Sequence, residues 1–186
     1  MELDYELMLQ CQKGYKNSFG KLVTPYLQDA YSISYTILKS KEQAEDAVQN
    51  ALIEAYMNIM ANKEIHKFRS WFLTLVASRS IDLARKNIKE IKLTIASKDT
   101  QISNTETPLT NLIDKEMNNS VIGAVLALPM KYRTVIILYY FQDLKINEIA
   151  KLLELKEGTI KSRLYKARIS LNRILTKQNN LPKAGE

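Results

Sequence analysis

Between Lys92 and Met117 the chain reads KLTIASKDTQISNTETPLTNLIDKEM, rich in Ser, Thr, Asn and Asp, interrupted by Pro108 and without a long apolar period. A stretch of this composition buries too little apolar surface to fold by itself, and a structureless loop of its length inside one compact domain is rare. The sequence therefore predicts two small bodies joined by a flexible linker, which at full extension reaches at most about 85 Å. The expected division is residues 1–91, the linker 92–117, residues 118–178 and a tail 179–186. The total of 186 residues suits two small domains as well as one ordinary one.

Both halves carry helical periodicity, and no segment sustains strand alternation, so the expected fold class is all-α, two small helical bundles. Residues 4–22 read as a helix weakened near Gly14, and Thr24-Pro25 offers an N-cap with Pro at the first position of a second helix running to about Leu38. Ser40 and Gln43 have the form of a capping box for a third helix, about 41–61. Its apolar positions Ala44, Ala47, Val48, Ala51, Leu52, Ala55, Tyr56 and Ile59 recur every three or four residues and form a core face. Asp46, Gln49, Asn50, Ile53 and Met57 fall together on another face, which is either solvated surface or a partner site. A fourth helix, about 67–88, packs Phe68, Phe72, Leu75 and Val76 and ends in Arg85-Lys86. In the second half, Leu128-Pro129 breaks two helices, MKYRTVIILYYF forms a strongly apolar one, and INEIAKLLEL a short one. The connection LKEG then leads into a basic helix, the helix-turn-helix arrangement.

Charge separates the halves further. Residues 1–90 hold 12 Lys/Arg against 11 Asp/Glu, whereas residues 120–186 hold 12 against 5, so the net +7 resides in the last third. Such a segment suits a polyanion, because each neutralised phosphate releases counterions. From charge alone, a solvated surface with a basic tail is the competing reading. The single Cys11 and single His66 cannot build a metal cluster, and five glycines form no phosphate loop. Both residues read as structural or incidental, and catalysis by the chain alone has little support. The N-terminus MELDYELML lacks a basic signal-peptide start, and no apolar run approaches the length of a membrane span. A soluble protein of a reducing cytoplasm is expected.

In the basic helix, Ile160, Leu164, Ala167, Leu171 and Ile174 are spaced to pack inward. Lys161, Ser162, Tyr165, Lys166 and Ile169 then point outward. At the N-terminal end of the second helix of a helix-turn-helix, Lys, Ser, Tyr and Ile can reach base edges in the major groove. Arg163 and Arg168 suit flanking phosphates. A basic amphipathic helix on a bundle surface is the alternative.

The motifs carry a family resemblance. Leu128-Pro-x-x-Tyr132-Arg133, Glu148-Ile149-Ala150 and Gly158-Thr-Ile-Lys-Ser-Arg-Leu-x-Lys-Ala-Arg168 resemble the promoter-binding fourth domain of the extracytoplasmic-function (ECF) sigma factors of bacterial RNA polymerase. Ala44-Glu-Asp-Ala-Val-Gln49 with Ala55-Tyr56 resembles their helix that grips the polymerase clamp. Phe68-Arg69-x-Trp71 with Ile81-Asp82-x-x-Arg85 resembles the helix that opens and reads the minus-ten element. The resemblance spans nearly the whole chain in the family's order. It implies a non-catalytic initiation subunit of the cytoplasm, without cofactor, metal or small-molecule substrate. Its partners would be core RNA polymerase (clamp and flap regions), promoter DNA and an anti-sigma factor, in the family often membrane-bound.

The implied sites are Asp46, Gln49, Asn50, Ile53 and Met57 for core polymerase, and Arg69, Trp71, Ser78, Arg79, Arg85 and Lys86 for minus-ten DNA. Lys161, Ser162, Arg163, Tyr165, Lys166 and Arg168 are implied for the minus-thirty-five element. An aromatic beside cations is what single-stranded DNA favours. Read singly, Trp71 fits a core position, the cations fit a solvated face, and Asp82 fits a pairing with Lys86 one turn later. The chain departs from the family at Ser78, where many members have Asn, and at Asn50, where Glu or Asp is common. Lys145 and Lys156 stand where capping Ser is usual, which costs about 1 kcal/mol at each helix start unless another group substitutes. A free-standing helix-turn-helix regulator is the competing function, but no ligand domain or dimerisation helix is evident.

Overall fold

The computed structural model describes residues 2–97 and 121–179, and every regular element among them is helical. The chain divides into two compact units, Met1–Ile88 and Lys89–Glu186. Residues 98–117 of the expected linker and the tail beyond Asn179 lie outside the described residues.

The first unit contains α1 (Glu2–Gln12), α2 (Lys16–Val23), α3 (Leu27–Leu38), α4 (Lys41–Met60) and α5 (Phe68–Ser97) as far as Ile88, the last turns of α5 falling past the division. Where one weakened helix was expected over 4–22, the chain breaks in two. Gly14 adopts φ +90°, and the Tyr15 and Gly14 N–H groups bond the Gln10 and Cys11 carbonyls at 3.1 and 2.9 Å. This is the Schellman closure that a residue without Cβ makes without strain. Thr24 does not cap α3. It is itself helical, so its hydroxyl reaches back to the Gly20 carbonyl at 2.7 Å, and a 3₁₀ turn over Thr24–Tyr26 carries the chain into α3. Ser40 does cap α4, accepting from the Gln43 N–H at 3.3 Å.

The core of this unit is the small-residue face of α4 against α3, closed by α5. Ala44, Ala47, Val48, Ala51, Ala55 and Ile59 are buried as their spacing predicts, while Leu52 is half-buried. Tyr56 is 37% exposed, its ring edge-on to Phe19 at 5.2 Å. Phe68, Phe72, Leu73 and Val76 of α5 are buried, and Leu75, expected inside, is half-buried. A buried hydroxyl chain ties three helices together. Ser80 Oγ lies 2.9 Å from Ser34 Oγ and 2.8 Å from the Val76 carbonyl, and Ser34 Oγ lies 3.3 Å from the Ala44 carbonyl. Two hydroxyl protons serve three contacts, so their directions are mutually dependent. Cys11 is also buried, and burial pushes its thiol up, making it unreactive.

The second unit contains α6 (Val121–Ala127), α7 (Met130–Ile136), α8 (Ile146–Leu153) and α9 (Glu157–Asn179). Pro129 breaks α6 from α7 as expected, but the apolar helix ends early. Over Ile137–Phe141 it widens into a π-turn, with the Gln142 N–H bonded to the Ile137 carbonyl at 3.1 Å. Helix α9 packs across α6, α7 and α8 through Ile160, Leu164 and Ala167. Leu171 and Ile174, expected inside, are only half-buried, because that core does not extend over them.

Candidate nucleic-acid and polymerase interfaces

On α4 the five residues Asp46, Gln49, Asn50, Ile53 and Met57 are all exposed and share an arc of roughly 100° opposite the buried alanines. Ile53 and Met57 are 61% and 64% exposed. Two adjacent apolar side chains amid amides and one carboxylate make a surface suited to a protein partner rather than to a polyanion.

On α5, Trp71, Ser78, Arg79, Arg85 and Lys86 fall within roughly 120° of arc along the solvent side. Trp71 is half-buried, its ring tilted on Phe68 at 5.9 Å, so it is anchored by the core while one part stays accessible. Arg69 is not on this stripe. It sits in the first turn and pairs with Asp29 of α3 at 2.8 Å. The other cations are also partnered. Arg79 bridges Glu54 of α4 and Asp82, each at 3.2 Å, and Arg85 stands 3.7 Å from Asp82. Asp82 thus joins Arg79 and Arg85. These pairs are largely solvent-facing, and such pairs are weak enough for a phosphate to displace the carboxylate.

In the second unit, α8 and α9 are joined by Glu154, Leu155 and Lys156. The position needing a left-handed backbone is Glu154, at φ 55°, with the Leu155 N–H closing on the Ala150 carbonyl at 2.9 Å. Gly158, expected in the turn, is instead the second residue of α9, and a Cβ there would meet nothing within 4 Å. The weak start at Lys145 is offset in part, because the Glu148 carboxylate accepts from the Lys145 N–H at 2.7 Å. A lysine side chain has no acceptor, so only that half of a capping box exists.

Lys161, Ser162, Tyr165 and Lys166 are exposed on the outward face of α9, with Tyr165 65% exposed. Ser162 Oγ donates to the Thr159 carbonyl at 2.9 Å, which leaves its lone pairs outward. Arg163, half-buried, and Arg168, exposed, flank this face on opposite sides. Arg168 Nε donates to Tyr140 Oη at 2.9 Å.

The carboxylates Asp29 and Glu54 have no signature in the sequence, because their partners lie 40 and 25 positions away and no local spacing signals them. Arg133 likewise gives no sign in the sequence of being a structural group. Its guanidinium is buried and donates to the Leu128 and Leu126 carbonyls at 2.8 and 3.2 Å, closing the end of α6. Among the described residues no helix is long and apolar enough to cross a membrane, and no group of three or more His, Cys, Asp or Glu could hold a metal ion.

Comparison with known proteins agrees with this layout. Residues 22–89 match the family model for sigma-70 region 2, and residues 119–171 match that for sigma-70 region 4. The chain is 31% identical to the ECF RNA polymerase sigma factor SigW of Bacillus subtilis, over 89% of this chain and 93% of the relative. The chain belongs to the ECF sigma factors. It is accordingly an RNA polymerase sigma factor, which directs core polymerase to promoters and initiates transcription. The sigma factor SigV of the same organism is 30% identical over 84% of the chain and 90% of its own length. Solved structures share the fold. CnrH in complex with the cytosolic domain of CnrY covers 94% of this chain and 98% of its own, with TM-score 0.59 and 19% identity. The sigma factor RpoE of Bartonella quintana, in complex with the anti-sigma factor NepR, gives TM-score 0.58 and 21% identity over 85% and 96%. A free-standing regulator is not favoured, since it leaves the region 2 match unexplained.

Proposed function

We propose that this sigma factor divides its work among three helices. Helix α4 docks on the polymerase clamp through Asp46, Gln49, Asn50, Ile53 and Met57. Helix α5 engages the minus-ten element through Trp71, Ser78, Arg79, Arg85 and Lys86, with Arg69 as a lateral cation. Helix α9 enters the major groove of the minus-thirty-five element, with Lys161, Ser162, Tyr165 and Lys166 toward bases and Arg163 and Arg168 toward phosphates. The functional division is residues 1–91 for polymerase and minus-ten contacts and residues 118–178 for minus-thirty-five contacts, with 92–117 connecting them. The flap of the polymerase is the expected seat of the second unit. The chain is a non-catalytic subunit of the cytoplasm, and an anti-sigma factor is its expected inhibitor.

The observation that carries this reading is the exposure of Ile53 and Met57 among polar neighbours on α4, in the same chain as a helix-turn-helix whose second helix faces outward with Lys161, Tyr165 and Lys166. Reconstituted transcription with purified core polymerase and a promoter library tests it. Initiation from a subset of promoters sharing two spaced elements is expected. No initiation, or initiation indifferent to the upstream element, overturns the assignment.

A further inference from the structure

The π-turn after α7 brings two consecutive tyrosines to one arginine. In an α-helix, neighbouring residues point about 100° apart, so they rarely serve the same group. Here the extra residue in the turn, marked by the Gln142 N–H reaching back to Ile137, leaves the Tyr139 and Tyr140 rings edge-to-face at 5.0 Å. The Arg168 guanidinium carbon stands 5.8 Å from the centre of the first ring and 5.7 Å from the second. Its Nε donates to Tyr140 Oη at 2.9 Å. An open cleft lined by both tyrosines, Lys145, Glu157 and Lys161 continues from this bracket to the N-terminal end of α9. The bracket therefore lies on the flank of α9 that also carries Lys161.

We propose that Tyr140 is a positioning residue for DNA binding, holding Arg168 in a fixed orientation for a backbone phosphate. This rests on the reading of α9 as the groove helix. An exposed arginine has many rotamers, and ordering them on binding opposes association. With Nε engaged by Tyr140 and the cation against two π faces, that ordering is done in the free protein. The occupied Nε edge leaves the end-on pair, Nη1 and Nη2, which matches a phosphate bidentately. A lysine would supply the charge but neither the Nε–H nor the fork. Tyr140 thus acts through Arg168 and does not itself touch DNA.

The test uses the full chain and a mixed-sequence duplex of about three helical turns, since a phosphate contact is independent of base sequence. Affinity is read by fluorescence anisotropy across a salt series. Tyr140→Phe keeps the ring and removes only the acceptor, and it should weaken binding roughly three- to tenfold, the effect of immobilising one long side chain on binding. The salt slope should stay as in wild type, because Arg168 keeps its charge. Arg168→Ala should weaken binding further and flatten the slope by roughly one phosphate. In the Arg168→Ala and Arg168→Lys backgrounds, Tyr140→Phe should have no added effect. The Arg168 Nε–H signal in NMR should shift in Tyr140→Phe while the thermal midpoint does not. Unchanged affinity in Tyr140→Phe, or the same loss with and without Arg168, overturns the proposal and leaves the groove-helix reading standing. A wild-type chain that does not bind the duplex even at low salt overturns both.

Discussion

Arg133 shows how a residue that reads as part of a motif can be structural. Burial pushes its guanidinium down to about 10, well above neutral, so the cation persists in the folded unit. A buried cation is tolerated where its hydrogen bonds are made, and here they go to the Leu126 and Leu128 carbonyls at the end of α6. Arg133→Met keeps much of the volume but removes both donors, leaving buried carbonyls unsatisfied. We expect a loss of about 2–4 kcal/mol in the second unit, read by urea denaturation, with the first unit's unfolding unaffected. The motif Leu128-Pro-x-x-Tyr-Arg was visible in the sequence, but its role was not. Only the fold shows that α6 ends at Ala127, six residues before Arg133 and within its reach. Asp29 and Arg69 teach the same lesson: a contact across 40 positions leaves no local signature.

At the level of single helices, the recurring spacing of alanines in α4 was enough to identify its buried face and, by elimination, the exposed stripe. Ile53→Asp places a charge on that stripe without touching the core, so helicity should be unchanged. If the stripe docks on the clamp, affinity for core polymerase should fall by tenfold or more, the scale of a buried apolar anchor replaced by a carboxylate, and a fluorescence titration reads it. Equal affinity would remove α4 from the interface. The end of α5 was less legible. Arg85-Lys86 suggested a stop near residue 88, yet no Gly or Pro stands between Arg69 and Pro108, and α5 runs to Ser97. The turn before α9 misled in another way, since the conspicuous glycine is not the strained residue. Gly158 is helical, points outward and has open space where a Cβ would be. Gly158→Ala should therefore stabilise the second unit by about 0.5–1 kcal/mol through backbone entropy. It should also weaken promoter binding, if the backbone there approaches DNA closely. Thermal melts and duplex titrations on one sample separate the two effects. Greater stability with undiminished affinity would show that the helix start stands clear of the DNA.

Across the whole molecule, the two halves are chemically different instruments. The first is nearly neutral and exposes the apolar Ile53 and Met57 on α4, whereas residues 120–186 hold 12 basic and 5 acidic residues. This asymmetry was readable from the sequence because it is a matter of composition. The polar stretch between the halves was equally plain, since nothing in it supplies a core. Each unit has its own buried set, Phe68, Phe72 and Val76 among the first and Val135, Leu138 and Ile160 among the second. Each unit should therefore fold when made alone as residues 1–97 or 118–186, with helical circular dichroism and its own cooperative melt. Joining them should matter for function instead. Once one unit is bound, a covalent connection makes the second encounter intramolecular, and such a link commonly raises apparent affinity by about 10²–10⁴-fold. An equimolar mixture of the two fragments should therefore need at least about a hundredfold higher concentration than the intact chain to support two-element initiation with core polymerase. If the mixture matches the intact chain, the units bind independently and the connection adds nothing. If the 1–97 fragment alone matches it, the second unit contributes no promoter contact.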